Sequence, residues 1–122
     1  MRLITHNMLR CNVKGVKNGY PLQIEVGKVE TVEAEYNPDF VTRMLPKLEW
    51  SAFIAAAKTM GVEEMPTELT EGMVNDDAFL QKLHHALLEV RLIEGALICP
   101  ESGRRFPVQN SIPNMLLNED EV

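Results

Sequence analysis

Residues 99–117, CPESGRRFPVQNSIPNMLL, begin as one half of a zinc knuckle: a cysteine, a tight turn over residues 100–103, then an aromatic strand. A structural zinc needs four ligands in a tetrahedron, normally two close pairs on two knuckles. Ser102 stands three residues after Cys99, where the second thiolate belongs, and Val16 stands five residues after Cys11, the only other cysteine. His6, His84 and His85 do not restore the spacing. No structural zinc is expected, and Cys11 and Cys99 read as small buried hydrophobes. The stretch predicts a hairpin held by packing and followed by an apolar segment, residues 112–117, that needs its own explanation.

Working outward, the whole chain has 122 residues, 45% hydrophobic and 25% charged. That is ordinary globular composition, and a chain of this length buries roughly two-thirds of its unfolded surface without help from a metal. The net charge of −6 is unevenly spread. Residues 1–20 carry Arg2, Arg10, Lys14 and Lys17 and no acid, whereas residues 61–77 carry six acids and no base. This sign argues against autonomous binding to a polyanion, although the basic start together with Arg104 and Arg105 offers a local RNA contact within a larger complex. The first residues lack the apolar run and cleavage site of a leader, and no segment reaches the about 18 apolar residues of a membrane span, so an intracellular, soluble protein with reduced thiols is expected.

Residues 20–32, YPLQIEVGKVETV, alternate Leu22, Ile24 and Val26 as a strand does, with a turn or bulge at Gly27. Asn37 before Pro38 starts a helix carrying Phe40, Val41, Met44 and Leu45 and stopped by Pro46. Leu48, Phe53, Ile54, Ala57 and Met60 predict a second helix ending at Gly61. Residues 62–75 show no periodicity and read as a mobile loop. Asp76 and Asp77 cap a third helix with Phe79, Leu83, Ala86, Leu87 and Val90 on one side. Short extended pieces follow, and the terminal residues 118–122 are expected to fray. The order β, three helices, β predicts an α+β fold: a small antiparallel sheet built from both ends, residues 1–36 and 91–122, with residues 37–90 as an inserted three-helix subdomain.

Chemistry is sparse. His84 and His85 are adjacent on a helix and cannot converge on one ion; His85 pairs with Glu89 at i, i+4, and His84 faces the core. No nucleophile elbow, P-loop or dinucleotide fingerprint is present, so no catalytic residues are assigned. Residues 7–11, NMLRC, and 112–117, IPNMLL, are apolar stretches interrupted by amide side chains, and both are expected in the sheet. Pro113 cannot donate to a ladder, which places its strand at an edge. An apolar edge needs cover, either from a partner that adds a strand alongside or from the chain's own helices.

The stretches LITHNMLRC, EYNPDFVTRMLPKLEWSAF, LHHALLEV and IEGALICPESGRRFPVQNSIPNMLL together resemble the multifunctional methyltransferase subunit family, also called the tRNA methyltransferase activator subunit, nearly end to end. The resemblance implies a zinc-ribbon-like sheet with a helical insertion. It also implies a non-catalytic subunit that pairs, one at a time, with several class I S-adenosylmethionine-dependent methyltransferases acting on tRNA, 18S rRNA and a translation termination factor, in cytoplasm and nucleus. The cofactor would be bound by the partner. Cys11 and Cys99 match one ligand each of the two family knuckles, with Val16 and Ser102 at the other two positions, so packing by Val16 and Phe106 is expected to replace the metal. The partner surface implied is Asn7, Met8, Leu9 and Arg10 with Ile112, Pro113, Asn114, Met115 and Leu116, and secondarily Phe40, Arg43 and Met44. A divergent zinc-ribbon module that binds nucleic acid is the alternative.

Overall fold

The computed structural model describes residues 1–62, 65, 66, 68 and 71–121. Alternation in residues 22–31 builds β1, Gln23–Thr31, which runs antiparallel to β2, Val90–Ile98, from Gln23 opposite Ile98 to Thr31 opposite Val90. Gly27 makes a bulge in this pairing, and a Cβ there would meet the Glu94 carbonyl at 2.8 Å. β2 pairs in turn with β3, Arg105–Gln109, and β3 with β4, Ile112–Pro113. Asn110 and Ser111 join the last two strands with φ of 51° and 65°, the left-handed pair that a two-residue hairpin requires. Among the described residues the sheet is therefore antiparallel and four-stranded, in the order β1-β2-β3-β4, and the fold is α+β as expected.

The two edges differ. β1 is bulged and exposes Glu25, Lys28 and Glu30, with Lys28 and Glu30 paired at 3.1 Å and Glu25 held by Arg105 at 3.0 Å. β4 is the other edge, as Pro113 requires, and it is short and apolar.

The N-terminal stretch departs from expectation. Residues 7–11 are not a strand: α1, Leu3–Met8, is a short helix, and the stretch meets the sheet ahead of it, through a bridge from Arg2 to Arg91 of β2 and hydrogen bonds that Met1 exchanges with Leu92 at 2.6 and 2.8 Å. The physical reason is that Leu3, Ile4 and Asn7 are buried together, a three-and-four spacing that one helical face satisfies and an alternating strand does not.

The three central helices follow their sequence signals, except that the third stops short of Val90, which is the first residue of β2. Asn37 accepts the Phe40 N–H at 3.1 Å ahead of α2, Pro38–Met44, which ends in a 3-10 turn containing Pro46. α3, Trp50–Thr59, buries Phe53, Ile54 and Ala57, and Gly61 follows with φ of 89°. Asp76 accepts the N–H groups of Ala78 and Phe79 to start α4, Asp77–His84. A π-helical turn, His85–Glu89, then delivers the chain to β2.

One hydrophobic cluster unites Leu3, Phe53, Leu83, Leu87, Leu92, Leu97 and Phe106 from helices and sheet alike. Of the loop read as mobile, residues 63, 64, 67, 69 and 70 lie outside the described residues. The remainder is partly ordered: Met65 is buried, and Trp50 Nε1 donates to the Pro66 carbonyl at 3.1 Å. Of the terminal residues expected to fray, Val122 lies outside the described residues, and residues 118–121 instead fold back, with a 3-10 turn over Glu119–Glu121 whose last carbonyl accepts the Lys14 N–H at 2.6 Å. No helix among the described residues is long and apolar enough to cross a membrane.

Candidate functional site

At the knuckles, Cys11 and Cys99 are free and buried close to each other. Cys11 N–H donates to the Gly19 carbonyl at 2.8 Å, so closely that a Cβ on Gly19 would strike Cys11 and Val16. The Cys99 turn is closed by Gly103 N–H to the Cys99 carbonyl at 3.0 Å, and Ser102 N–H donates to the Cys99 sulfur at 3.3 Å. Burial pushes the Cys11 thiol up. Burial acts the same way on Cys99, but hydrogen bonds from Ser102, Glu101 and Cys11 outweigh it and hold that thiol below its ordinary value. Two thiols, one hydroxyl and an alkyl side chain are not a tetrahedral donor set, and no group of three or more His, Cys, Asp or Glu gathers as ligands among the described residues. The residues present do not fit zinc. Val16 packs against the core and Phe106 is fully enclosed.

The two apolar ends do meet. Met8, Leu9 and Arg10 at the end of α1 line a cleft of about 160 Å³ with Asn12, Phe106, Met115 and Leu117. Beside it, Ile112, Pro113, Asn114, Met115 and Leu116 line an open groove of about 630 Å³ along β4. Met8, Ile112 and Leu116 expose 53%, 69% and 80% of their surface, which is far more than a chain gains by leaving such side chains in water. Asn114 shapes the segment: its N–H donates to the Pro107 carbonyl at 2.9 Å and its Oδ1 accepts the Leu116 N–H at 3.1 Å. Met115 and Leu117 turn toward the core while Leu116 points out. Arg10 lies 5.8 Å over the Tyr20 ring.

Not every anticipated residue joins this surface. Asn7 is buried, and its amide is committed to the chain, accepting the Glu49 N–H and donating to the Glu49 carbonyl, both at 3.0 Å. Phe40 and Met44 are half-buried and Arg43 bonds its own helix; these α2 residues line neither the cleft nor the groove. Sequence reasoning missed Leu117, Asn12 and Phe106 as cleft residues. Met115, Leu116 and Leu117 are apolar alike, so their residue types carry no sign of which of them turns inward.

His84 and His85 are both tied into the fold. His84 is buried and hydrogen-bonded to the Ala34 carbonyl at 3.0 Å, while exposed His85 pairs with Glu89 at 3.0 Å. Glu89 also accepts the Ala34 N–H at 3.0 Å, and that bond above all holds its carboxyl below the usual range.

A family profile described as Trm112p-like protein matches residues 2–111. "Multifunctional methyltransferase subunit TRM112 homolog A" of Arabidopsis thaliana is 58% identical over 124 residues, spanning all of both chains. The TRM112-like protein of Mus musculus is 52% identical over 123 residues, covering 100% of this chain and 98% of its own. The multifunctional methyltransferase subunit TRM112 of Saccharomyces cerevisiae is 30% identical, with 96% of each chain covered. In three dimensions, a chain of the solved E. cuniculi Mtq2–Trm112 complex, described as responsible for methylation of the eRF1 translation termination factor, superposes with a TM-score of 0.58 over 95% of both chains at 19% identity. At that identity the likeness concerns the fold.

Proposed function

The chain belongs to the Trm112p-like family, and from that membership we propose that it is a non-catalytic activating and stabilising subunit that forms heterodimers with methyltransferases. The observation that carries the reading is the apolar surface at one sheet edge, where Ile112 and Leu116 stand largely exposed beside the cleft that Met8, Leu9 and Arg10 share with Met115 and Leu117. A partner sheet laid along this edge covers these side chains and supplies the burial that the chain itself does not. Asn7 supports the surface from beneath by fixing α1. The enzymes concerned bind S-adenosylmethionine themselves and act on tRNA, 18S rRNA and a termination factor, in cytoplasm and nucleus; the subunit brings no metal or cofactor. Family membership does not favour the nucleic-acid-binding alternative, and RNA is contacted through the enzyme.

The test is co-purification of tagged chain from cell extract, with bound methyltransferases identified by mass spectrometry. Leu116→Asp and Ile112→Asp leave the core untouched, so the thermal midpoint should hold while partner affinity falls at least about 30-fold, the equivalent of about 2 kcal/mol at a central anchor. Full retention of every methyltransferase by both variants sinks the proposed surface.

A further inference from the structure

One side chain ties the metal-free knuckles to the partner surface. Arg104 leaves the Cys99 turn and forks onto Glu121, Nε to Oε2 at 2.6 Å and Nη2 to Oε1 at 3.1 Å. The same Nη2 reaches the Leu116 carbonyl at 3.4 Å, Nη1 donates to the Arg105 carbonyl, and the guanidinium lies 4.8 Å over the Phe106 ring that floors the cleft. Glu121 is itself fixed: its Oε1 accepts the Asn118 N–H at 2.9 Å and its carbonyl accepts the Lys14 N–H at 2.6 Å. From the other side, the Glu101 carboxylate accepts the Lys17 and Asn18 N–H groups at 2.9 and 3.4 Å. The loop of the first knuckle is thus held from the C-terminal half by the Glu101 carboxylate and the Glu121 backbone carbonyl, at the place where a metal would otherwise tie the knuckles together.

We propose that Arg104 is a positioning residue for partner binding: forked on Glu121 and stacked on Phe106, it holds residues 115–117 by the Leu116 carbonyl, so that Met115 and Leu117 close the cleft and Leu116 faces the partner. The inference rests on the reading of this surface as the methyltransferase-binding face. Fork geometry is essential to it. Only a planar guanidinium serves a carboxylate with two parallel bonds and a backbone carbonyl at once; an ammonium carries the charge without the fork. The ion pair is partly shielded, with Arg104 and Glu121 side chains 29% and 14% exposed, and it closes a network, unlike an isolated surface pair.

Two measurements test it. In the free chain, Arg104→Lys, Arg104→Gln and Glu121→Gln should each speed amide hydrogen exchange at Leu116 and Asn118, whose N–H groups are bonded to Asn114 Oδ1 and Glu121 Oε1, by about tenfold while the β2 and β3 amides keep their protection. Unchanged exchange at Leu116 and Asn118, or an equal loss across the sheet, overturns the proposal. With a methyltransferase that co-purifies with the wild-type chain as probe, all three variants should bind about five- to tenfold more weakly at an unchanged thermal midpoint. Wild-type affinity in Arg104→Lys shows that charge alone suffices and refutes the positioning role. The two readings fail separately: binding lost in Leu116→Asp but intact in all three clasp variants removes only the role of Arg104, whereas binding intact in Leu116→Asp removes the surface.

Discussion

Replacing Asn7 separates a residue that builds the surface from one that touches the partner. Its amide bonds both the N–H and the carbonyl of Glu49 at 3.0 Å, and Glu49 precedes α3 without a capping bond from its own side chain. Asn7 therefore tethers the start of α3 to α1 from 42 residues away in sequence. Asn7→Ala deletes two hydrogen bonds, each worth about 1 kcal/mol net, for a loss of about 2 kcal/mol. Asn7→Asp keeps an acceptor for the Glu49 N–H but sets its second oxygen against the Glu49 carbonyl in a buried place, and should lose about 3 kcal/mol or more. Urea denaturation of the free chain reads this directly: at a slope of about 2 kcal/mol per molar, the alanine variant's midpoint falls by about 1 M and the aspartate variant's by more. Once folded, the alanine variant should hold a methyltransferase about as well as wild type. A variant with wild-type urea stability that nevertheless loses the partner would refute the reasoning and put Asn7 in the interface.

Phe106 is fully enclosed and floors the cleft, so Phe106→Ala should cost about 3–5 kcal/mol in chemical denaturation, whereas Phe106→Leu should cost less than half of that. His6 gives the chain a pH dependence. Burial holds its imidazole below the ordinary 6.5, so the unfolded chain takes up a proton near pH 6.5 that the folded chain refuses. Stability is fully present above that pH and declines as pH falls through 6.5 toward the lowered folded value; a thermal midpoint unchanged from about pH 7.5 to 5.5 contradicts this. For the knuckles, the wild-type chain purified with excess zinc should retain well under one equivalent by metal analysis, while Val16→Cys combined with Ser102→Cys should retain about one and melt higher. A double variant that keeps no zinc shows that the knuckles no longer face each other as a ligand set.

Legibility followed the range of the interactions. The caps at Asn37 and Asp76 and the stop at Pro46 involve neighbours within four residues, and each is found where the sequence places it; β1 forms as read, but Val26, placed on the core face, is 43% exposed beside the bulge at Gly27. The edge position of β4 could be read because Pro113 forbids a ladder donor. α1 was misread because NMLRC looks the same to a strand and to a short helix; the decision is made by Leu3 and Ile4 packing into a core assembled from distant elements. The folding back of residues 118–121 was invisible for the same reason, since it depends on Arg104 and Lys14. On the candidate surface, apolar residue types revealed Ile112 and Leu116 but not that Asn7 turns inward, because an asparagine advertises no side.

The unlike edges of the sheet carry one more consequence. β1 presents a bulge and a row of paired charges, while β4 presents short apolar backbone. A molecule with two receptive borders can be threaded between copies indefinitely, which is how fibres grow. This one is asymmetric: the bulge and charge pairs of β1, around an exposed Val26, suit strand addition less well than β4 does. Strand addition is thereby biased to the β4 border, at the opposite side of the sheet from β1.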